Sequence, residues 1–197
     1  MFISSVWIGS YNTAVLIILG VTANMEAVGI YAGAEKLLKA VKGLYNPISQ
    51  ALFPHMSALL ISGPRSAMPK INMYIYRLSA FTLLSSTLLL FFADVIVELV
   101  LGAEFESASL LLKVMSFIPF FACISNIFGV QLMLNLGYSE EFKKIIISLS
   151  FTGLAVTYCM SIFFQEIGAA VSILLIEFLM AVGMFLFFKI TVKGKLL

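Results

Sequence analysis

Glu35, Lys39 and Lys42 stand four and three residues apart, and Asn46, Ser49, Gln50 and Phe53 continue the same spacing. At roughly 100° per residue these side chains share about a third of a helix circumference, while Leu37, Leu38, Val41, Leu44 and Leu52 take the opposite face. Three lysines, Lys36 included, facing lipid at mid-bilayer would cost on the order of 8 to 10 kcal/mol. The stripe is therefore expected to face a water-filled cavity, and a hydrated, mostly cationic lining attracts something anionic. Glu35 and Lys39, at i and i+4, can pair with each other and leave Lys42 as the free positive charge. Lys36 lies about 100° from the stripe, where it snorkels or reaches the cavity rim.

The remaining chain must position that stripe, and its composition says in what medium. Apolar residues make up 61% and charged residues 11%, against about 45 to 50% and 25% in soluble domains; mean hydropathy is +1.08. The sequence describes an all-α, polytopic membrane protein with about six or seven spans and no sizeable soluble domain. Nothing in it supports nucleic-acid binding. Expected spans cover residues 2–21, 28–57, 71–93, 110–136, 145–164 and 169–188 as a single transmembrane bundle. The opening residues lack a basic n-region and a small-residue cleavage site, so they read as a span rather than a signal peptide. Within it Ser4, Ser5, Ser10, Tyr11, Asn12 and Thr13 suit helix packing, and Asn12 either bonds across helices or lines a cavity.

The second helix exceeds one crossing, and Pro47 and Pro54 each remove a backbone donor from it. Asn46, Ser49 and Gln50 are placed to rescue freed carbonyls. The bend so formed is either a hinge or a static fit to the bundle. His55 falls opposite the stripe near the span's end, as an interfacial histidine or a proton relay. Gly63, Pro64 and Pro69 predict a loop over residues 62–70, and Pro119 predicts a break in the fourth span, whose polar points are Asn126, Gly129 and Gln131. A tight turn over residues 165–168 feeds the sixth.

Arg65, Lys70, Arg77, Lys143, Lys144, Lys189, Lys193 and Lys195 fall on one side, whereas Asp94, Glu98, Glu104 and Glu106 fall on the other. The positive-inside rule makes the basic side cytoplasmic and puts both termini there. Lys113 is the exception, close enough to the acidic loop to be neutralised by it. Cys123 and Cys159, both inside spans, read as small apolar filler.

Catalytic sets are missing from the pattern. One histidine, no serine elbow, no phosphate-binding glycine loop and no clustered metal ligands leave little for an enzyme and imply no cofactor. Glu177 differs, because it stands near the middle of the sixth span, where an ionisable residue needs a partner. Lys39 and Lys42 are the candidates. Glu177 then either couples a cation or proton to movement or serves as a fixed counter-ion.

The run from Tyr31 to Ser57, with Gly29, Tyr31, Ala34, Glu35, Lys39, Pro47, Ser49, Gln50 and Pro54, resembles the eighth-helix region of the polysaccharide-export branch of the MOP superfamily, the O-antigen and related lipid-linked oligosaccharide flippases. Residues 99–116 resemble that family's outer loop and following helix start. The resemblance covers nearly the whole chain but only the second of the family's two six-helix bundles. It implies a C-terminal lobe in the bacterial cytoplasmic (inner) membrane, partnered by a missing N-terminal six-helix lobe, by membrane lipids and by a glycan polymerase. The implied substrate is an undecaprenyl-pyrophosphate-linked oligosaccharide, moved by alternating access. Lys39 and Lys42 would attract the anionic headgroup, Glu35 and Glu177 tune the charge, and Asn46, Ser49 and Gln50 hydrogen-bond sugar. Half of a MATE-like multidrug exporter should carry acids in place of the lysines. A non-transporting component of a polysaccharide assembly complex would need no hydrated stripe.

Overall fold

The computed structural model describes residues 13–192, and every regular element among them is helical. Ser4, Ser5, Ser10, Tyr11 and Asn12, and the tail lysines Lys193 and Lys195, lie outside the described residues.

Helix α1, Thr13–Thr22, leads into α2, Met25–Ile61. Asn24 caps α2 by accepting the Ala27 N–H at 2.8 Å, which satisfies one of the donors a helix start leaves bare. The 37 residues of α2 run through both Pro47 and Pro54. At 1.5 Å per residue they reach about 55 Å, well beyond the roughly 30 Å of a hydrocarbon core.

The loop expected over residues 62–70 is shorter in the structure. Only Ser62 and Gly63 (φ 135°) separate α2 from α3, Pro64–Phe91. Pro64 opens the helix where its missing N–H costs nothing, whereas Pro69, the sixth residue, lies inside α3, which continues through it without that residue's backbone donor. Helix α4, Ala93–Leu101, and a short 3₁₀ turn, Ala103–Phe105, precede α5, Ser107–Met115. The fourth expected span breaks at residues 116–117, just ahead of Pro119, and resumes as α6, Ile118–Ser125. From Asn126 to Leu134 the helix widens to π geometry.

Helix α7, Ser139–Phe187, is interrupted at Gln165 (φ 49°, ψ −129°), where the chain folds back on itself. A Cβ on Gly168 would strike the Met160 carbonyl, so the returning arm presses against the arm it left. The arms over residues 139–164 and 166–187 are each longer than the about 20 residues a crossing needs. Among the described residues, Ser66–Phe91, Ser107–Leu134 and Ser139–Thr191 are the helices long and apolar enough to cross a membrane. Helix α2 has the length, but its charges and amides set it apart.

Two apolar clusters hold the helices together. One gathers Leu19, Tyr31, Leu37, Leu38, Leu111, Met115, Ile118 and Ile173, and the other Tyr45, Leu52, Met56, Cys123, Ile127, Leu132, Phe142 and Met184. Along α2 the first ends at Leu38 and the second begins at Tyr45; along the last arm the corresponding residues are Ile173 and Met184. Lys42 and Glu177 occupy the interval on their respective helices, so the packing changes over at the level of these two charges.

A cavity between two apolar clusters

At that level the helices line a half-open cavity of about 220 Å³. Lys42, Tyr45 and Asn46 line it from α2; Pro119, Ala122 and Ser125 from α6; Asn126 and Val130 from the π-helical segment; Glu177, Met180 and Met184 from the last arm. Lys42 Nζ meets Glu177 Oε1 at 3.2 Å, with 31% and 20% of the two side chains exposed. Of the two partners open to Glu177, the structure selects Lys42. Among the described lining residues only these two carry a full charge, so the cavity is electrically balanced rather than cationic.

The rest of the stripe divides. Lys39 Nζ pairs with Glu35 Oε1 at 2.8 Å, one turn before the cavity, with Glu35 buried and Lys39 more than half exposed. Lys42, Asn46 and Glu177 line the cavity; Glu35, Lys39, Ser49 and Gln50 do not. Gln50 is exposed. Ser49 is buried, and its hydroxyl donates to Asn126 Oδ1 at 2.7 Å instead of returning to a carbonyl freed by proline. Gln131 completes this node: its Nε2 donates to the Ser49 carbonyl at 2.9 Å and to Ser49 Oγ at 3.0 Å.

Asn126 and Gln131 are five residues apart, about 140° around an α-helix, and would face different ways there. The π geometry, with its i to i+5 bonding, brings both side chains to Ser49. Pro119, Ser125, Asn126 and Ser150 are lining residues that the single-helix stripe could not reveal. Their signal in the sequence is only that of polar or helix-breaking residues inside apolar runs.

Outside the cavity, Lys113 Nζ meets Asp94 Oδ2 at 2.7 Å, so the exceptional lysine is neutralised by the acidic stretch. The hydrogen bond from Lys113, followed by one from Ser109, holds the Asp94 carboxyl below its ordinary range. His55 Nε2 lies 3.0 Å from Tyr74 Oη, joining the far end of α2 to α3. Cys123 is buried and Cys159 exposed, both as free thiols.

Residues 1–60, which carry the stripe, match the family model described as "Polysaccharide biosynthesis protein". A protein of Escherichia coli K12 named "Putative O-antigen transporter" is 33% identical over 96% of this chain and 46% of its own length. One of the same name from Shigella dysenteriae is 27% identical over 93% of this chain and 46% of its own length. Nearly the whole chain is thus similar to part of two proteins named as putative O-antigen transporters. The chain spans under half the length of the curated relatives it matches. With the three apolar membrane-length helices, this kinship describes a multi-pass membrane protein. No solved structure matches the chain significantly.

Proposed function

We propose that the chain is the C-terminal lobe of a flippase that carries a lipid-linked oligosaccharide across the bacterial cytoplasmic membrane. Six crossings follow if the apolar run over residues 2–21, α2, α3, residues 107–134 and the two arms of α7 each span the bilayer, with both termini cytoplasmic by the positive-inside rule. A second, N-terminal lobe closes the other side of the path. The protein acts as a transporter and not as an enzyme.

The observation that carries this reading is the Lys42–Glu177 pair, which lines a cavity at the level where neither apolar cluster fills the bundle. A charged pair at such depth is costly unless it serves a polar path. Lys39, whose side chain is the more exposed of the two, meets the anionic headgroup at the cavity's approach, while Lys42, held by Glu177, keeps the cavity itself neutral. Asn46 hydrogen-bonds the sugar. Pro47 and Pro54 let α2 bend as the lobes exchange inward-open and outward-open states, a step driven by the difference in ligand affinity between them.

The test is export in a strain lacking its own transporter, with the chain supplied as part of a full-length protein. Lys42→Ala and Glu177→Ala should each remove most glycan from the cell surface while the protein stays in the membrane at its usual level. Full surface glycan in both variants overturns the reading.

A further inference from the structure

We infer that Asn126 is a sugar-contacting residue of this cavity, presenting its amide N–H₂ to an uncharged hydroxyl or ring oxygen, and that Ser49 and Gln131 are the positioning residues that aim it. The inference deepens the transport reading above and rests on it.

The argument starts at a group whose polarity is fixed. The Ser49 backbone carbonyl can only accept, so the Gln131 atom 2.9 Å from it must be the amide nitrogen. The same nitrogen lies 3.0 Å from Ser49 Oγ, which therefore receives a hydrogen from Gln131 and spends its own elsewhere. Ser49 Oγ donates that hydrogen to Asn126 Oδ1, 2.7 Å away, and the Gln131 amide nitrogen lies 3.4 Å from the same oxygen, a contact that would be lost with the Asn126 amide turned around. Turning the Gln131 amide around would set its oxygen against the Ser49 carbonyl. The opposite atom, Oε1, is buried with no partner among the described residues, so the orientation is held by the bonds to Ser49 alone.

One consequence is left. With Oδ1 committed to Ser49 and to a longer contact from Gln131 at 3.4 Å, Asn126 Nδ2 meets no acceptor among the described residues. Asn126 is itself a lining residue of the cavity. Its two hydrogens are the donors the node leaves over, held by a chain of three bonds and not free to rotate.

The surroundings say what oxygen they fit. Lys42 and Glu177 cancel, so the cavity carries no net charge to draw a diphosphate into it. Tyr45, Pro119 and Met180 give it apolar and aromatic walls, and Asn46 adds a second amide. A fixed amide donor beside an aromatic face suits a sugar ring, which offers hydroxyls on its edge and C–H groups on its faces. At about 220 Å³ the space is smaller than the roughly 300 Å³ where drug-sized pockets begin, and holds one sugar unit at a time.

The experiment uses the whole chain in an amphipol, so that no glycosidic detergent competes, with methyl β-D-glucopyranoside and inorganic pyrophosphate as probes in titrations followed by saturation-transfer NMR. The wild-type chain should bind the glycoside, and pyrophosphate should not displace it. Asn126→Ala and Ser49→Ala should each weaken binding about 3- to 10-fold, the worth of one hydrogen bond. Ser49→Thr, which keeps the hydroxyl, should recover it. Asn126→Asp at pH 8, which keeps the acceptor for Ser49 but gives up the donor, should bind as weakly as Asn126→Ala. Glycoside binding unchanged in Asn126→Ala and Asn126→Asp, displacement by pyrophosphate, or no glycoside binding by the wild type would each overturn the inference. Normal export in the Lys42 and Glu177 variants sinks the transport reading instead, whatever the glycoside titration shows.

Discussion

Lys39 and Lys42 stand three residues apart on α2 and each holds a carboxylate, Lys39 from its own helix with its side chain 55% exposed and Lys42 from the last arm with its side chain 31% exposed; removing each therefore compares a pair within one helix with a pair that joins two. For Lys42 and Glu177, 3.2 Å apart, Coulomb's law with an effective dielectric of about 20 gives roughly 5 kcal/mol of attraction. Desolvation of two groups only 31% and 20% exposed cancels much of that. A coupling energy of about 1 to 3 kcal/mol remains, between the value of exposed pairs and that of fully buried ones. The measurement is a double-mutant cycle with Lys42→Ala, Glu177→Ala and both together, read as stability in a graded denaturing detergent. Either single variant should cost more than the double variant implies by addition, because each leaves one charge unpaired beside apolar walls. The exchange Lys42→Glu with Glu177→Lys should recover most of the loss. The neighbouring pair gives the comparison: Glu35 is buried but the Lys39 side chain is 55% exposed, so solvent and salt screen that pair from the lysine side and its coupling should fade more in high salt than that of Lys42 and Glu177. Additivity at Lys42 and Glu177 to within about 0.5 kcal/mol would refute the reasoning, since it would mean the two charges do not feel each other across the cavity.

The turn inside α7 predicts opposite signs for two neighbouring substitutions. Gly168→Ala should lower the midpoint of thermal unfolding, because the new methyl meets the Met160 carbonyl, a backbone atom that cannot swing aside. Gln165→Gly should raise it, by relieving a positive φ that costs a side-chain-bearing residue about 1 to 3 kcal/mol. On the acidic side, a carboxyl held below the unperturbed 3.8 by Lys113 adds stability above that value and loses it as pH falls through the lowered one. Carbon-13 NMR of Asp94 should show its titration midpoint rise towards the ordinary value in Lys113→Ala; an unmoved midpoint would deny the contact.

Charge at bilayer depth was the most legible feature, because few forces compete with it there. A glutamate in the middle of the last expected span requires a partner, and the stripe on α2 offers lysines; spacing and medium narrow the partner to Lys39 or Lys42, and the structure decides for Lys42. The reversal at Gln165 was legible for a similar reason, as an apolar run of that length has to turn. The loop over residues 62–70 was overread. Proline breaks a helix in its interior, but at the first turn it lacks only a donor that has no partner anyway, and the sequence alone does not say where that turn lies.

Ser49 and Gln50 show the deeper limit of the helical wheel. The wheel placed them on the stripe with Lys42 and so in the same cavity, yet Ser49 is buried against a neighbouring helix and Gln50 faces out. A wheel assigns angle about one axis, whereas membership of a cavity depends on which helix stands opposite at each height. Beside Lys42 that neighbour is the last arm, with Glu177; about two turns on, at Ser49, it is the π-helical segment, with Asn126 and Gln131. The widened turns defeat periodicity from the other side too, since residues five apart converge only where the helix has left the 3.6-residue repeat that pattern reading assumes. The polar lining is therefore assembled from two departures from regular helix, the interval between the apolar clusters and the π segment. A substitution that restored regular α geometry over residues 126–134 would turn Asn126 and Gln131 apart and leave Ser49 unpartnered, changing the cavity without touching a charge.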